Sequence, residues 1–196
     1  MDSSNGAMEY EAVGLALLIE DEEDRSLYLL ELARTFIKRG DWQRAHGLAE
    51  LMPESYEKAE VLCSIAELLA ATGHVEKALS VFTEAEEASV LSRLAAWQQA
   101  ELLNHIAGSL NKMSATVRAA DVRRRAANIA ISGQNSSSEQ ERLDSASVLA
   151  EIVENLAAEE KITEALAYAE NISSVPKREY VKQRIAEYAA NIKRVA

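Results

Sequence analysis

Residues 29–85 read LLELARTFIKRGDWQRAHGLAELMPESYEKAEVLCSIAELLAATGHVEKALSVFTEA. Leu29, Leu32, Ala33 and Phe36 stand ahead of Gly40 and Ala45, and 33 residues on Leu62, Ile65, Ala66 and Leu69 stand ahead of Gly73 and Ala78. Spacings of about three and four residues put each quartet on one helical face, the glycine stops that helix, and the alanine opens the buried side of the next. The stretch therefore states one helical hairpin twice. Periods of roughly 20–50 residues mark stacked units, because a single hairpin cannot bury its apolar face alone. Nothing in the pattern names a ligand.

The pattern continues in both directions. Upstream, Ala12, Gly14, Leu15, Ala16, Leu18 and Ile19 match Ala45, Gly47, Leu48, Ala49, Leu51 and Met52, so a helix from Met8 to Ile19 is the second half of a hairpin. Residues 1–7 are small and polar and are expected to form a disordered tail, which leaves 8–196 as one repeat domain. The acidic run Glu20–Asp24 suits the positive end of the helix Leu27–Arg39, and Asp41 can cap the next, Trp42–Met52. Pro53 is expected in the first turn of Glu54–Thr72, and Gly73 then leads into His74–Ala88.

Downstream the unit stretches. The quartet returns as Leu103, Ile106, Ala107 and Leu110, 41 residues after its predecessor, with two extra turns expected ahead of it in Val90–Lys112. Ser114 is expected to cap Ala115–Ile131, and Gly133–Ser138 has the composition of a mobile loop. Ser138 with Glu141 reads as a capping box for Glu139–Glu159, which carries the quartet as Leu149, Ile152, Val153 and Leu156 after a step of 46. Lys161–Ile172 matches the first hairpin at an offset of 120, Ala45 with Ala165 and Ala49 with Ala169. Pro176 opens a last helix with Val181, Ile185, Tyr188 and Ile192 on one stripe. Lys177, Arg178, Lys182, Arg184, Lys193 and Arg194 supply its solvating face, as the end of a repeat array needs.

Composition agrees with an all-α chain of about nine or ten helices. Seven Gly and two Pro are few for a β protein of many tight turns, and 196 residues suffice for a continuous core. The 32 Asp and Glu against 21 Lys and Arg give a net charge of −11, which disfavours nucleic acid as partner. Residues 1–90 hold 19 acids and 7 bases, a net of −12, whereas 91–196 hold 13 acids and 14 bases, a net of +1. Cys63 is the one cysteine, so no internal disulfide forms. The apolar run Ala12–Ile19 is too short to span a bilayer, and a cytoplasmic protein is expected.

Large, large, small, large on one helix, a glycine at the turn, then alanine and an aromatic on the next resembles the tetratricopeptide repeat. The resemblance is closest over Leu29–Ala85, where Phe82 and Ala85 match the family's second-helix aromatic and small positions; Ala49, Arg123 and Ala169 depart from the aromatic. It implies a right-handed superhelix, an α-solenoid of antiparallel hairpins whose concave face, lined by first helices, holds a peptide or protein. Members that clamp a C-terminal carboxylate use Lys and Asn one turn apart. The matching pairs here are Leu30 with Arg34, Cys63 with Glu67, Asn104 with Gly108 and Ala150 with Glu154, so that clamp is absent.

No catalytic, cofactor or metal pattern emerges: His46, His74 and His105 are scattered, and no phosphate loop or nucleophile elbow occurs. The expected role is a non-enzymatic scaffold or adaptor that binds a protein or peptide, with a basic segment or a second copy as the candidate partner. A small RNA-binding repeat, or an enzyme with an unrecognised site, is the alternative. The candidate partner-binding residues are Arg34, Glu60, Glu67 and Asn104 on first helices, with Arg118, Arg123, Arg124 and Arg125 as the one basic cluster. For that cluster the plainer reading is salt bridges to neighbouring acidic helices.

Overall fold

A computed structural model describes residues 11–92 and 94–195, with the side chains of 193–195 left outside the description. The tail expected over residues 1–7 lies outside the described residues, as does the start of the first helix. Regular structure among the described residues is entirely helical. Helix α1 covers residues 11–17, followed by α2 (Glu22–Lys38), α3 (Trp42–Glu50), α4 (Tyr56–Ala71), α5 (Val75–Leu91), α6 (Ala96–Lys112), α7 (Thr116–Gly133), α8 (Glu139–Ala158), α9 (Ile162–Ala169) and α10 (Val175–Val195).

These helices gather into two compact units, α1–α5 up to residue 93 and α6–α10 from residue 94. In the first, α2 pairs with α3 and α4 with α5, while α4 also packs on α2 and α3. In the second, α6 pairs with α7 and α8 with α9; α8 packs on α6 and α7, and α10 on α8 and α9. Each unit thus stacks first helix against first helix through tight neighbouring pairs.

One turn builds all four hairpins. Gly40, Gly73, Ser114 and Glu160 adopt left-handed backbone, with φ of 76, 83, 63 and 64°. In each case the next residue's N–H reaches back to a buried carbonyl: Asp41 to Phe36 (3.0 Å), His74 to Leu69 (2.8 Å), Ala115 to Leu110 (3.0 Å) and Lys161 to Leu156 (2.9 Å). That bond satisfies a carbonyl the helix end would leave orphaned, and the donor residue becomes the N-cap of the second helix. Four residues further, Ala45, Ala78, Ala119 and Ala165 are fully buried, small enough for the returning helix to close on the first.

Ser114 is therefore a helix stop and not the N-cap its sequence suggests. It and Glu160 hold a conformation that disfavours side chains by about 1–2 kcal/mol, partly offset by the flexibility glycine adds to the unfolded chain. Ser114→Gly and Glu160→Gly should each stabilise by about 0.5–1 kcal/mol, seen as a raised urea midpoint, whereas Gly40→Ala should destabilise by a similar amount.

The unequal spacing has a simple origin. First helices α2, α4 and α6 have 17, 16 and 17 residues, but the second helix lengthens from 9 in α3 to 17 in α5 and 18 in α7. The two extra turns expected ahead of α6 belong to the end of α5 instead, because Ser92 turns extended (ψ 146°) and breaks the helix before Ala96.

Other boundaries shift for local reasons. The acidic run spans the start of the helix, which begins earlier than expected: Glu20 precedes it, Asp21 is the N-cap, accepting from the N–H of Glu23 (2.9 Å) and Asp24 (3.0 Å), and Glu22, Glu23 and Asp24 fill the first turn. Pro53 precedes the helix, since Ser55 caps α4 through the N–H of Lys58 (3.3 Å). Pro176 does fall in the first turn of α10.

The segment 133–138 is pinned rather than loose. Gly133 ends α7, buried so closely against Ser145 and Ala96 that an added methyl would collide with both. Gln134 is buried, donating to the Asn171 carbonyl (3.1 Å) and accepting from the Ser173 N–H (2.7 Å). Only half of the expected capping box forms: Ser138 accepts from the Glu141 N–H (3.4 Å), while the Glu141 carboxylate takes the Ser136 hydroxyl (2.5 Å).

The quartets make the core. Of their sixteen positions, Leu32 alone is not classed as buried. Cys63 is 2% exposed, and burial, with Glu67 and Glu60 nearby, pushes its thiol well up, so it behaves as a packing residue. On α10, Val181 and Ile185 are buried, while Tyr188 and Ile192 are half-buried. No helix among the described residues is long and apolar enough to cross a membrane.

Candidate partner-binding surfaces

In the first unit the residues expected on the first-helix face bind one another. Arg34 on α2 donates to Glu31 (2.5 Å) on its own helix and to Glu60 (2.5 Å) on α4. The pair is partly exposed, so it locks two first helices with little net stability and leaves neither group waiting for a ligand. Glu67, one turn past Cys63 on α4, is half-buried.

In the second unit Asn104 of α6 is buried and donates from Nδ2 to Glu151 (3.1 Å) of α8. Its Oδ1 has no hydrogen-bond partner. One turn back, Glu101 is half-buried, and burial together with the Glu151 charge pushes its carboxyl above the usual range. Arg34 with Glu60 and Asn104 with Glu151 thus do one job in the two units: each ties a first helix to the next.

The expected basic cluster on α7 does not form one surface. Successive residues on a helix point about 100° apart, so Arg123, Arg124 and Arg125 face three ways. Arg123 is 2% exposed and salt-bridged to Glu159, which also receives Lys161 (2.9 Å). It is withdrawn from any partner-binding surface. Arg124 is exposed and paired with Asp121, one turn back. Arg118 and Arg125 are half-buried, each in contacts of its own. Arg123 holds the same position in its hairpin, eight residues past the N-cap, as the buried Ala49, Phe82 and Ala169 hold in theirs. An ion pair stands there where the other hairpins bury alanine or phenylalanine.

A concavity that sequence reading misses lies in the first unit, on the second-helix side. It encloses about 200 Å³ between α3, the start of α4 and the last turns of α5. His46 of α3 meets Glu84 of α5 across it (Nε2 to Oε2, 2.7 Å) and turns Nδ1 toward Glu50 (3.8 Å); Lys58 donates to Glu54 (2.7 Å). The only sequence sign of this arrangement is the pair of one-turn spacings, His46 with Glu50 and Glu54 with Lys58. Elsewhere in the unit, Lys77 lies 3.9 Å above the Trp42 ring, which accounts for that tryptophan as a packing contact. Among the described residues no group of three or more His, Cys, Asp or Glu could hold a metal ion.

No protein family, no curated protein and no solved structure matches the chain.

Proposed function

We propose that the chain is a tetratricopeptide-like interaction scaffold, a non-enzymatic adaptor that binds a protein or peptide partner. The observation that supports this is the recurrence of one hairpin design, the same left-handed turn and buried alanine at Gly40, Gly73, Ser114 and Glu160, in a chain whose surface varies from hairpin to hairpin. A constant core under a variable surface is how stacked repeats present extended binding faces. The acidic first half favours a basic protein over nucleic acid.

The test is capture of partners by the tagged full-length chain from its native host, with and without nuclease, followed by reconstitution with the purified candidate. A binary complex that survives nuclease supports the scaffold reading. Retention only of nucleic acid, or of proteins lost on nuclease treatment, would move the chain to the RNA-binding class.

A further inference from the structure

The pocket in the first unit exists because two neighbouring second helices differ in length. Helix α3 stops at Glu50, whereas α5 runs on to Leu91; at the repeat offset of 33, residues 84–91 have no counterpart in α3. Every α5 residue lining the pocket, Glu84, Glu87, Ala88 and Leu91, belongs to that overhang. Its floor is apolar, made by Ala49, Leu62 and Ala88, all buried. Leu91 stands at its edge 67% exposed, with Val90 beside it at 57%, so the overhang leaves apolar surface uncovered. The corresponding extension of α7 in the second unit ends differently, sealed at the buried Gly133 and Gln134.

Charge decides what fits. Four carboxylates line the pocket, Glu50, Glu54, Glu84 and Glu87, against one ammonium and one imidazole. Lys58 is taken by Glu54 and His46 by Glu84, both at 2.7 Å. Glu50, whose side chain is 71% exposed and lies 3.8 Å from His46 Nδ1, outside hydrogen-bond distance, and the exposed Glu87 stand at the rim. An apolar floor under a rim with more carboxylates than cations matches a side chain with an aliphatic stem and a cationic head. At about 200 Å³ the space is below the roughly 300–1,000 Å³ of small-molecule sites. It is the size for a single side chain, and a planar guanidinium can reach two carboxylates at once. The net charge of −12 over residues 1–90 adds a field that draws in a basic segment.

We infer that this pocket anchors an arginine of a basic segment in a protein partner, its methylenes covering Leu62, Ala88 and Leu91 and its guanidinium lying between Glu50 and Glu87. The inference rests on the scaffold reading and gives it a site on the second-helix side, away from the first-helix face where Arg34 and Glu60 neutralise one another. A second copy of the chain is the poorer occupant. In its basic cluster Arg123 is buried on Glu159 and Arg124 is held by Asp121.

The experiment is fluorescence anisotropy on the full chain, with a labelled glycine–serine peptide carrying three arginines and the same peptide with citrulline in their place. Wild type should bind the arginine peptide at low salt and ignore the citrulline one. Glu50→Gln with Glu87→Gln should weaken binding by about tenfold or more, the loss of one or two charge-assisted hydrogen bonds. The equal charge change Glu11→Gln with Glu20→Gln, at exposed positions off the pocket, should leave it within about twofold. Equal weakening by both pairs would reduce the pocket to a diffuse field and overturn the assignment, as would tight binding of the citrulline peptide. Light scattering that shows assembly abolished by Glu50→Gln with Glu87→Gln would hand the pocket to a second copy. If the chain captures a partner from its host but binds no arginine peptide, the pocket assignment falls and the scaffold reading stands.

Discussion

Ala66→Glu should unfold the first unit under conditions where the native chain is folded. Ala66 has no exposed surface, and it occupies the small position of its quartet, as Ala33 and Ala107 do in theirs, both equally buried. A glutamate there carries a charge into a site with no room and no cation, an error that costs about 3–5 kcal/mol, a large part of a domain's usual 5–15 kcal/mol. The repeat supplies its own control. Ala186 matches Ala66 at the offset of 120 but lies on the exposed side of α10, so Ala186→Glu should shift stability by no more than about 0.5 kcal/mol. Urea denaturation followed by circular dichroism measures both. An Ala66→Glu protein with the native midpoint would mean that the quartet does not face the neighbouring helices.

The second large effect concerns Arg123. Arg123→Ala leaves a void and removes one of the two cations on Glu159, with an expected loss of about 2–5 kcal/mol, chiefly from the void. Arg123→Met should recover the part of that loss that comes from the void, and so melt between Arg123→Ala and the native protein. The equivalent positions of the other hairpins hold Phe82 and two alanines, Lys161 still serves Glu159, and the native Nε is buried without a partner.

The pair also sets an acid limit. Burial pushes the Glu159 carboxyl up, but hydrogen bonds from Lys161 and Arg123 outweigh it and hold the group below the ordinary carboxylate range. A carboxylate with a lowered folded pKa gives its full stabilisation above the unfolded pKa and loses it as the pH falls through the folded one. Native protein should therefore lose stability over that acidic window, and Arg123→Met should lose less there. An identical acid profile for the two, measured as urea midpoint against pH, would remove Glu159 from the account.

What the sequence discloses depends on whether a residue's role is local. Gly40 and Gly73 betray their turns because glycine is the usual residue at positive φ. Ser114 and Glu160 build the same turn with residues that carry no such mark, and only the quartets before them reveal it. The core is legible since three- and four-residue spacing on a helix fixes a face. The surface is not. Arg123, Arg124 and Arg125 are neighbours in sequence and divide between core and solvent, whereas Arg34 and Glu60 are 26 residues apart and touch. Gly133–Ser138 has a flexible composition, yet the Gln134 side chain fastens it to the turn that precedes α10, a contact no local rule anticipates. The pocket needs α3 and α5 brought side by side and a difference in their lengths, neither of which a composition or a motif records.

That difference in length separates two tasks within one hairpin. Each hairpin is held by contacts close to its own turn, from Phe36 to Ala45 in the first and from Leu69 to Ala78 in the second, so turns added at the far end of a second helix disturb nothing already packed. The last eight residues of α5, 84–91, lengthen the helix without touching the register of its turn: Ala85, Ala88 and Ser89 extend the core, while Glu84, Glu87 and Leu91 turn toward the pocket. A hairpin of this kind keeps folding and display apart: the turn and its buried alanine close the helices, and the far end of the second helix is free to differ in length and chemistry.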